Sequence, residues 1–363
     1  MNSFLYNLDN IHLFIWIVIM LVVNRISETY REEVDGTNSV WRTKPLFAWL
    51  IFFPVLLMAV YGRPRSDTYL YISIYRSLPS DLSEGLNNVI REKEPGFALF
   101  QFLVHFFSHG NITIYRLAIA LLHAIPIVTV LRRYSEDYLF SIFIFIAAGN
   151  HLAWMMNGLR QFIAVTIIFA ATPWIIEKRY FKAVVTVLIA TTFHRSAIFM
   201  LPVVFIVSGE AWNRRTLIFS FMIIGFTVLF ARNITLFDEF ADTVGYSMTA
   251  VREWGDDGAH PLRVLVAAIP MLLSFIARKE VREEETGLIN ICTNMSIITT
   301  GVTLVAMVTS GIMVGRMPIY TSLYNLILLP FIIYHHFHGK NSEFVRVMTI
   351  IFYFLYFIVL VGF

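Results

Sequence analysis

The sequence has few charged residues and a single cysteine. Asp, Glu, Lys and Arg make up only 15% of its 363 residues, whereas about 25% is typical of soluble domains. The one cysteine, Cys292, lies in an apolar stretch, which excludes an intrachain disulfide framework. No Lys or Arg precedes the first apolar run, so we expect a first helix that is retained rather than a cleaved secretory signal. A chain this poor in charge is predicted to lie mostly within a bilayer.

Motifs for nucleotides and metals are also missing from the sequence. It has no Walker loop, no dinucleotide-binding glycine pattern, no cysteine-rich zinc pattern and no GxSxG elbow. ATP hydrolysis, a cofactor and a metal ion are therefore not expected, and a net charge of +3 is too small to indicate a nucleic-acid partner. The histidines at 335, 336 and 338 resemble a metal-binding cluster, but Lys340 nearby favours a positively charged anchor at the membrane surface.

Long hydrophobic runs are abundant. Hydrophobic residues make up 57% of the chain, and its mean hydropathy is +0.68. A spanning helix needs roughly 20 mostly apolar residues, so the runs predict an all-α transmembrane helical bundle of about 12 spans. One domain over 1–363 is expected, because little sequence is left for a soluble part. A shorter run at 97–108 is predicted to be a re-entrant or interfacial helix.

Lys and Arg decide the predicted orientation, because cytoplasmic loops hold more of them. If 97–108 does not cross, most loops rich in Lys and Arg lie in the cytoplasm, and both termini lie outside. The outer face then carries two long loops, 62–96 and 232–260, of which the second is strongly acidic. If 97–108 did cross, four basic segments would move outside: 132–137, 177–182, 209–215 and 278–282.

This topology gathers polar residues on the outer face. Arginine binds phosphate oxygens through two parallel hydrogen bonds, and Asp, Glu and His can each act as a general base. Simpler roles stay open, because arginines at helix ends extend to lipid headgroups, Asp67 could form a structural salt bridge, Glu94 could stabilise a helix start, and His194 could simply pack. The outer set is Arg63, Arg65, Asp67, Glu94, Asn157, Arg160, Gln161, His194, Arg195 and Arg316.

Five short motifs contain most of these residues, in a fixed order along the chain. They are RSDTY at 65–69, EPG at 94–96, NGLRQFIA at 157–164, FHRSA at 193–197, and GRM at 315–317 with Tyr320. In these motifs the chain resembles the EpsG family of polysaccharide polymerases, related in role to the Wzy polymerases of O-antigen and capsule assembly. Arg195 departs from the resemblance, because a smaller or uncharged residue is expected there, and the acidic segment 232–260 has no assigned counterpart.

The resemblance implies a membrane glycosyltransferase of the bacterial inner membrane. Undecaprenyl-pyrophosphate-linked oligosaccharide repeats would be joined on the outer face into O-antigen, capsule or exopolysaccharide, by inverting transfer. Membrane lipids, a flippase and a chain-length regulator of the same pathway are the other expected partners.

The candidate site residues fall into two groups. Asp67 is the first candidate for the general base, His194 the second, and Glu94 is the third catalytic candidate. The predicted pyrophosphate- and substrate-binding residues are Arg63, Arg65, Tyr69, Asn157, Arg160, Gln161, Arg195, Arg316 and Tyr320.

Three other functions remain open from the sequence. A flippase for lipid-linked sugars would also use arginines, but with charge through a central cavity. A membrane O-acyltransferase would require His194 and depend less on the arginines, and a structural subunit would tolerate single polar substitutions.

Overall fold

The computed structural model describes residues 11–26, 31–33, 41–64, 67–232 and 258–359. Arg65 and nearly all of the predicted outer loop 232–260 lie outside the described residues. Two three-residue strands, β1 (Arg31–Glu33) and β2 (Trp41–Thr43), pair antiparallel with Glu32 opposite Arg42. Every other regular element of the described residues is a helix, which confirms the predicted all-α class.

The helices follow one another with short connections. Those of the first part of the chain are α1 (Ile11–Ile26), α2 (Pro45–Tyr61), α3 (Asp67–Arg76), α4 (Leu82–Arg91), α5 (Pro95–Ser108), α6 (Ile112–Tyr134), α7 (Tyr138–Ala147), α8 (Asn150–Met156), α9 (Leu159–Ala170), α10 (Thr172–Ile176) and α11 (Tyr180–Phe193). After the 3-10 helix Arg195–Phe199 come α12 (Met200–Val207), α13 (Arg214–Arg232), α14 (Pro261–Ile276), α15 (Arg278–Glu283), α16 (Leu288–Val308), the 3-10 helix Val314–Arg316, α17 (Ile319–Ser322), α18 (Asn325–His335) and α19 (Lys340–Val359).

Several helices are suited to a bilayer. By length and composition, α6, α16 and α19 can each cross a membrane, and counting two bent helix pairs as broken spans raises the number to five. One bent pair is α7 with α8, which meet at 73°. Gly149 lies at their break with a φ of 73°, a conformation that glycine adopts without steric cost. Seven further apolar helices have only 10–17 residues, so the described lengths support a membrane protein without confirming the predicted count of about 12 spans.

The chain forms two compact units, each described by itself. The first is drawn from Met1–Leu201 and Phe337–Phe363. Within it, α6 packs against α2 and α9, and α9 packs against α11. Its core includes the stacked rings of Tyr75 and Tyr115, whose centroids are 4.0 Å apart. Gln101 donates a 2.6 Å hydrogen bond to the Tyr115 hydroxyl, so a polar bridge joins α5 to α6.

The short helix α5 occupies the predicted run 97–108. Pro95 begins it, which suits the first turn because proline lacks the N–H that would be unpaired there. His109 ends it in the left-handed conformation, with a φ of 51°. Gln101 is buried, with 5% of its surface exposed, so one face of α5 packs into the unit. Its placement relative to a membrane stays a prediction.

The second unit, Pro202–His336, is arranged around α16. This helix packs against α13, α14 and α18 and is buried along most of its length. Asn290 accepts a 2.7 Å hydrogen bond from the Ala211 N–H, and the Asn294 amide donates to the carbonyl oxygens of Val207 and Gly209. These bonds satisfy the backbone of the turn between α12 and α13 inside an apolar environment.

Candidate functional site

Glu94 lies at the junction between α4 and α5, directly before Pro95. The next residue, Gly96, begins α5 close to α11, and a Cβ at this position would overlap the side chain of Thr192. The missing side chain therefore lets the start of α5 approach the end of α11 closely. His194 ends α11 in an extended conformation, so its ring comes within reach of Glu94.

The Glu94 carboxylate joins three segments of the chain. Its Oε2 accepts a hydrogen bond of 2.5 Å from Nη1 of Arg160, and its Oε1 accepts from Nδ1 of His194 at 2.8 Å. The backbone N–H of Arg195 donates to the same Oε1 at 3.1 Å. The Glu94 side chain is 10% exposed, against 24% for His194 and 38% for Arg160. A buried carboxylate thus holds two partly exposed groups in place; we call Glu94, Arg160 and His194 the Glu94 cluster.

The surroundings keep Glu94 ionised. Burial by itself would raise the pKa of Glu94, but the hydrogen bond and charge of His194, the charge of Arg160 and the Arg195 N–H together hold this pKa below the ordinary glutamate value. An ionised carboxylate only accepts hydrogen bonds, so Nδ1 of His194 must carry the proton in this contact. In the neutral ring, Nε2 is then the nitrogen able to take up a proton.

Aromatic side chains fix the orientation of Arg160. Its Nε donates a 3.1 Å hydrogen bond to the Tyr71 hydroxyl of α3. The guanidinium carbon also lies 5.2 Å from the ring centre of Tyr71 and 5.8 Å from that of Phe97, within the range of cation–π contacts. A cavity of about 150 Å³ adjoins these residues and is lined in part by Glu94, Arg160 and Gln101. Two members of the Glu94 cluster therefore border a space that a small polar group can enter.

A second cavity, of about 350 Å³, lies in the same unit. Arg63 borders it from the loop after α2, and Arg116 from the first turns of α6. His123 and Asn157 also line it, together with apolar side chains. We call this space the Arg63–Arg116 cavity.

Comparison with known proteins identifies the family. The EpsG family matches residues 46–362, which is most of the chain and contains all five motifs. The chain belongs to the EpsG family. Comparison with curated proteins and with solved structures finds no match. Family membership and the apolar helices together indicate a membrane protein of polysaccharide biosynthesis, in a family whose members are generally glycosyltransferase-like polymerases.

In this EpsG family member the structure brings several predicted site residues together. Glu94, Arg160, His194 and the backbone of Arg195 share one set of hydrogen bonds. The Arg195 side chain is exposed and its Nε lies 3.4 Å from the Lys93 carbonyl oxygen. Because Arg195 contributes its backbone to Glu94, a large charged side chain fits at this motif position.

The other predicted residues lie elsewhere. Asp67 and Tyr69 are exposed in the first turn of α3, while Gln161 is buried at 3% exposure. Arg316 is partly buried, and Tyr320 is buried at 1% exposure, both in the second unit. Arg65 falls outside the described residues.

Two residues of the sites were missed by the sequence analysis. Tyr71 follows Asp67 by four residues and therefore lies on the same face of α3, a spacing that the motif RSDTY could have suggested. Arg116 lies inside the apolar run of α6, and a charge within such a run is itself a signal of function that sequence reasoning can use.

Proposed function

We propose that this EpsG family member polymerises undecaprenyl-pyrophosphate-linked oligosaccharide repeats on the outer face of the bacterial inner membrane. The observation that carries the proposal is the Glu94 cluster, in which a buried carboxylate orients an imidazole beside an arginine at the edge of a cavity. Such an arrangement suits proton removal from a hydroxyl next to a developing negative charge. The family supplies the reaction class, and the cluster supplies groups able to perform it.

His194 is the base that the geometry favours. Its Nδ1–H is held by Glu94, so Nε2 accepts the proton of the acceptor hydroxyl as the oxygen attacks the anomeric carbon of the donor sugar. The bond from that carbon to the pyrophosphate breaks, and the lipid pyrophosphate leaves with the electron pair. Glu94 then stabilises the imidazolium that forms. One displacement inverts the anomeric centre.

Asp67 remains the alternative base. It is exposed in the first turn of α3, one turn before Tyr71, which bonds to Arg160. Glu94 is better suited to positioning than to proton transfer, because both its oxygens accept hydrogen bonds from the protein. The proposed substrate-binding residues in addition to Arg160 are Arg63, Arg65, Tyr69, Asn157, Gln161, Arg195, Arg316 and Tyr320.

The proposal includes a membrane topology. About 12 spans, two outer termini and a helix α5 that does not cross would put the Glu94 cluster on the outer face, where lipid-linked repeats become available after a flippase has moved them. O-antigen, capsule and exopolysaccharide are the product classes that fit, and a chain-length regulator is a fitting partner. Membrane lipids surround the apolar helices.

Polymerisation by the purified protein tests the function. Protein in detergent is incubated with its cognate lipid-linked repeats, and sugar ladders are resolved on a gel. We expect ladders with the wild type and a loss of about 10²–10⁴-fold in rate for His194→Ala, the usual contribution of a general base. Arg91→Gln, which changes an exposed arginine at the end of α4, should leave the rate unchanged.

Other results would change the assignment. Loss of ladders in Asp67→Asn with full activity in His194→Ala would make Asp67 the base. Native protein that moves its cognate repeats across vesicles but never joins them would be a flippase. Transfer of acyl groups that depends on His194 and not on Arg160 would indicate an O-acyltransferase.

A further inference from the structure

The Arg63–Arg116 cavity is distinct from the Glu94 cluster but shares two structural elements with it. Thr68 and Ile72 of α3 line the cavity, while Tyr71 of the same helix contacts Arg160. Leu159 also lines the cavity, and the next residue, Arg160, bonds to Glu94. Both sites therefore depend on α3 and on the start of α9.

We propose that the Arg63–Arg116 cavity binds the pyrophosphate-linked sugar head of the donor lipid, with Arg63 and Arg116 on the phosphates and His123 and Asn157 on sugar hydroxyls. This inference rests on the proposed function and assigns its donor subsite. The acceptor hydroxyl would then be activated at the Glu94 cluster, so the two substrates occupy separate places.

The charges favour the Arg63–Arg116 cavity for an anion. None of the described residues that line it is acidic. Arg116 donates to the carbonyl oxygens of Ala59 and Gly62 at 3.0 and 2.6 Å, and these neutral partners leave its positive charge in place. Arg160, in contrast, is already paired with the Glu94 carboxylate. A phosphate is attracted most where arginine charge is not neutralised by the protein.

Two buried acceptors in the cavity call for hydrogen-bond donors. His123 is fully buried, and its Nε2 lies 3.3 Å from the Leu159 carbonyl oxygen, to which it must donate. Its Nδ1 is then an acceptor, and it has no hydrogen-bond partner among the described residues. The side-chain oxygen of Asn157 is likewise buried without such a partner. Sugar hydroxyls are donors of the required kind, whereas a phosphate alone offers only acceptors.

The size and remaining lining of the cavity fit a lipid-linked head. Ligand sites commonly have volumes of about 300–1,000 Å³, so this one can hold a sugar with its phosphates but not a whole repeat unit with its lipid. Met58, Ile119 and Met155 are among the apolar side chains that line it. They suit the apolar face of a sugar ring or the first isoprene of the carrier.

Binding of a short isoprenyl pyrophosphate tests the anion part. Farnesyl pyrophosphate is titrated into the full chain in detergent, with farnesol as the tail-only control, and binding is followed by thermal shift and tryptophan fluorescence. We expect Arg63→Gln and Arg116→Gln each to raise the Kd of farnesyl pyrophosphate at least tenfold while leaving farnesol unaffected. Arg160→Gln and the exposed control Arg91→Gln should bind it as the wild type does. Arg63→Gln keeps the test valid if Arg116→Gln fails to fold, because Arg63 is exposed.

The sugar part is tested with the cognate lipid-linked repeat. Asn157→Leu and His123→Leu should weaken binding of the repeat but not of farnesyl pyrophosphate, because only the repeat carries hydroxyl donors. Equal weakening of both ligands would overturn the assignment of these two residues to the sugar.

The outcomes separate this inference from the proposed function. Unchanged farnesyl pyrophosphate binding in Arg63→Gln and Arg116→Gln, with ladders from the wild type, overturns the donor subsite and leaves the polymerase. Binding lost in Arg160→Gln alone would move the pyrophosphate to the Glu94 cluster and also overturn it. Binding lost in both cavity variants, with no ladders from native protein, would keep the head site and reject polymerisation.

Discussion

At the scale of single residues, Glu94 connects parts of the chain that are far apart in sequence. Arg160 follows it by 66 residues and His194 by 100. All three contacts to the carboxylate are charge-assisted hydrogen bonds, which are shorter and stronger than neutral ones. Removing the negative charge would leave Arg160 without its acidic partner and His194 without the group that fixes its ring.

The stability that Glu94 contributes should depend on pH. Its folded-state pKa is lowered, so its contribution is complete above the unfolded glutamate pKa and is lost as pH falls through the folded value. We expect Glu94→Gln to lower the free energy of unfolding by about 1–3 kcal/mol at pH 7, as for a lost hydrogen bond to a charged group. The difference in Tm from wild type should persist at pH 5 and vanish below about pH 4. Its absence at pH 5 would mean that the pKa of Glu94 is not lowered.

At the scale of elements, one buried ion pair holds the last helix in place. Asp137 accepts a 2.9 Å hydrogen bond from Nη2 of Arg346, which joins the start of α7 to α19. The two side chains are only 4% and 14% exposed. Asp137 also caps α7 by accepting from the Phe140 N–H at 3.0 Å. The pair therefore fixes both the beginning of one helix and the position of another.

Breaking this pair should destabilise the first unit. Arg346→Met leaves Asp137 buried without its cation, and we expect a loss of about 3–5 kcal/mol in the free energy of unfolding. Thermal unfolding in detergent measures it. Glu343 lies 3.7 Å from Arg346 but is 59% exposed, so Glu343→Gln should cost less than about 1 kcal/mol.

Two further variants check the cause. Asp137→Asn combined with Arg346→Met should recover part of the loss, because no unpaired buried charge is left. If Arg346→Met were as stable as Glu343→Gln, the ion pair would not be what holds α19 against α7.

At the scale of the whole molecule, orientation in the membrane depends on whether α5 crosses. Helix α5 has 14 residues, about 21 Å at the usual rise per residue, which is short of a typical hydrocarbon core of about 30 Å. Its buried face includes Phe97, Gln101 and His105, two of which are polar. These features fit a helix that lies at or within one surface rather than one that spans.

Cysteine labelling from outside tests this topology. Ser83 precedes α5 and Thr113 follows it, and both are exposed, whereas Gln101 is too buried to report on its surroundings. If α5 does not cross, Ser83→Cys and Thr113→Cys should both react with an impermeant thiol reagent in intact cells. The native Cys292 is fully buried and should give little background. Reaction at only one of the two positions would show that α5 crosses and reverse the orientation of every later helix.

The helix count shows what sequence patterns and observed lengths each supply. Apolar runs predict about 12 spans, but three helices are long enough by themselves and five if bent pairs are joined. Breaks such as Gly149 between α7 and α8 divide runs that look continuous in hydropathy. Hydropathy reports how apolar a segment is, whereas the break depends on backbone conformation at one or two residues.

The sequence by itself determined the all-helical class, the membrane setting, the family motifs and most of the candidate residues. These properties follow from composition and from short segments, which local sequence specifies directly. Only the tertiary structure decided that Glu94 pairs with Arg160 and His194, that Tyr71 fixes Arg160, and that Arg116 opens on a cavity without described acidic residues. Which arginine is neutralised depends on side chains brought together by helix packing over many tens of residues, and the linear order of those residues does not specify that packing.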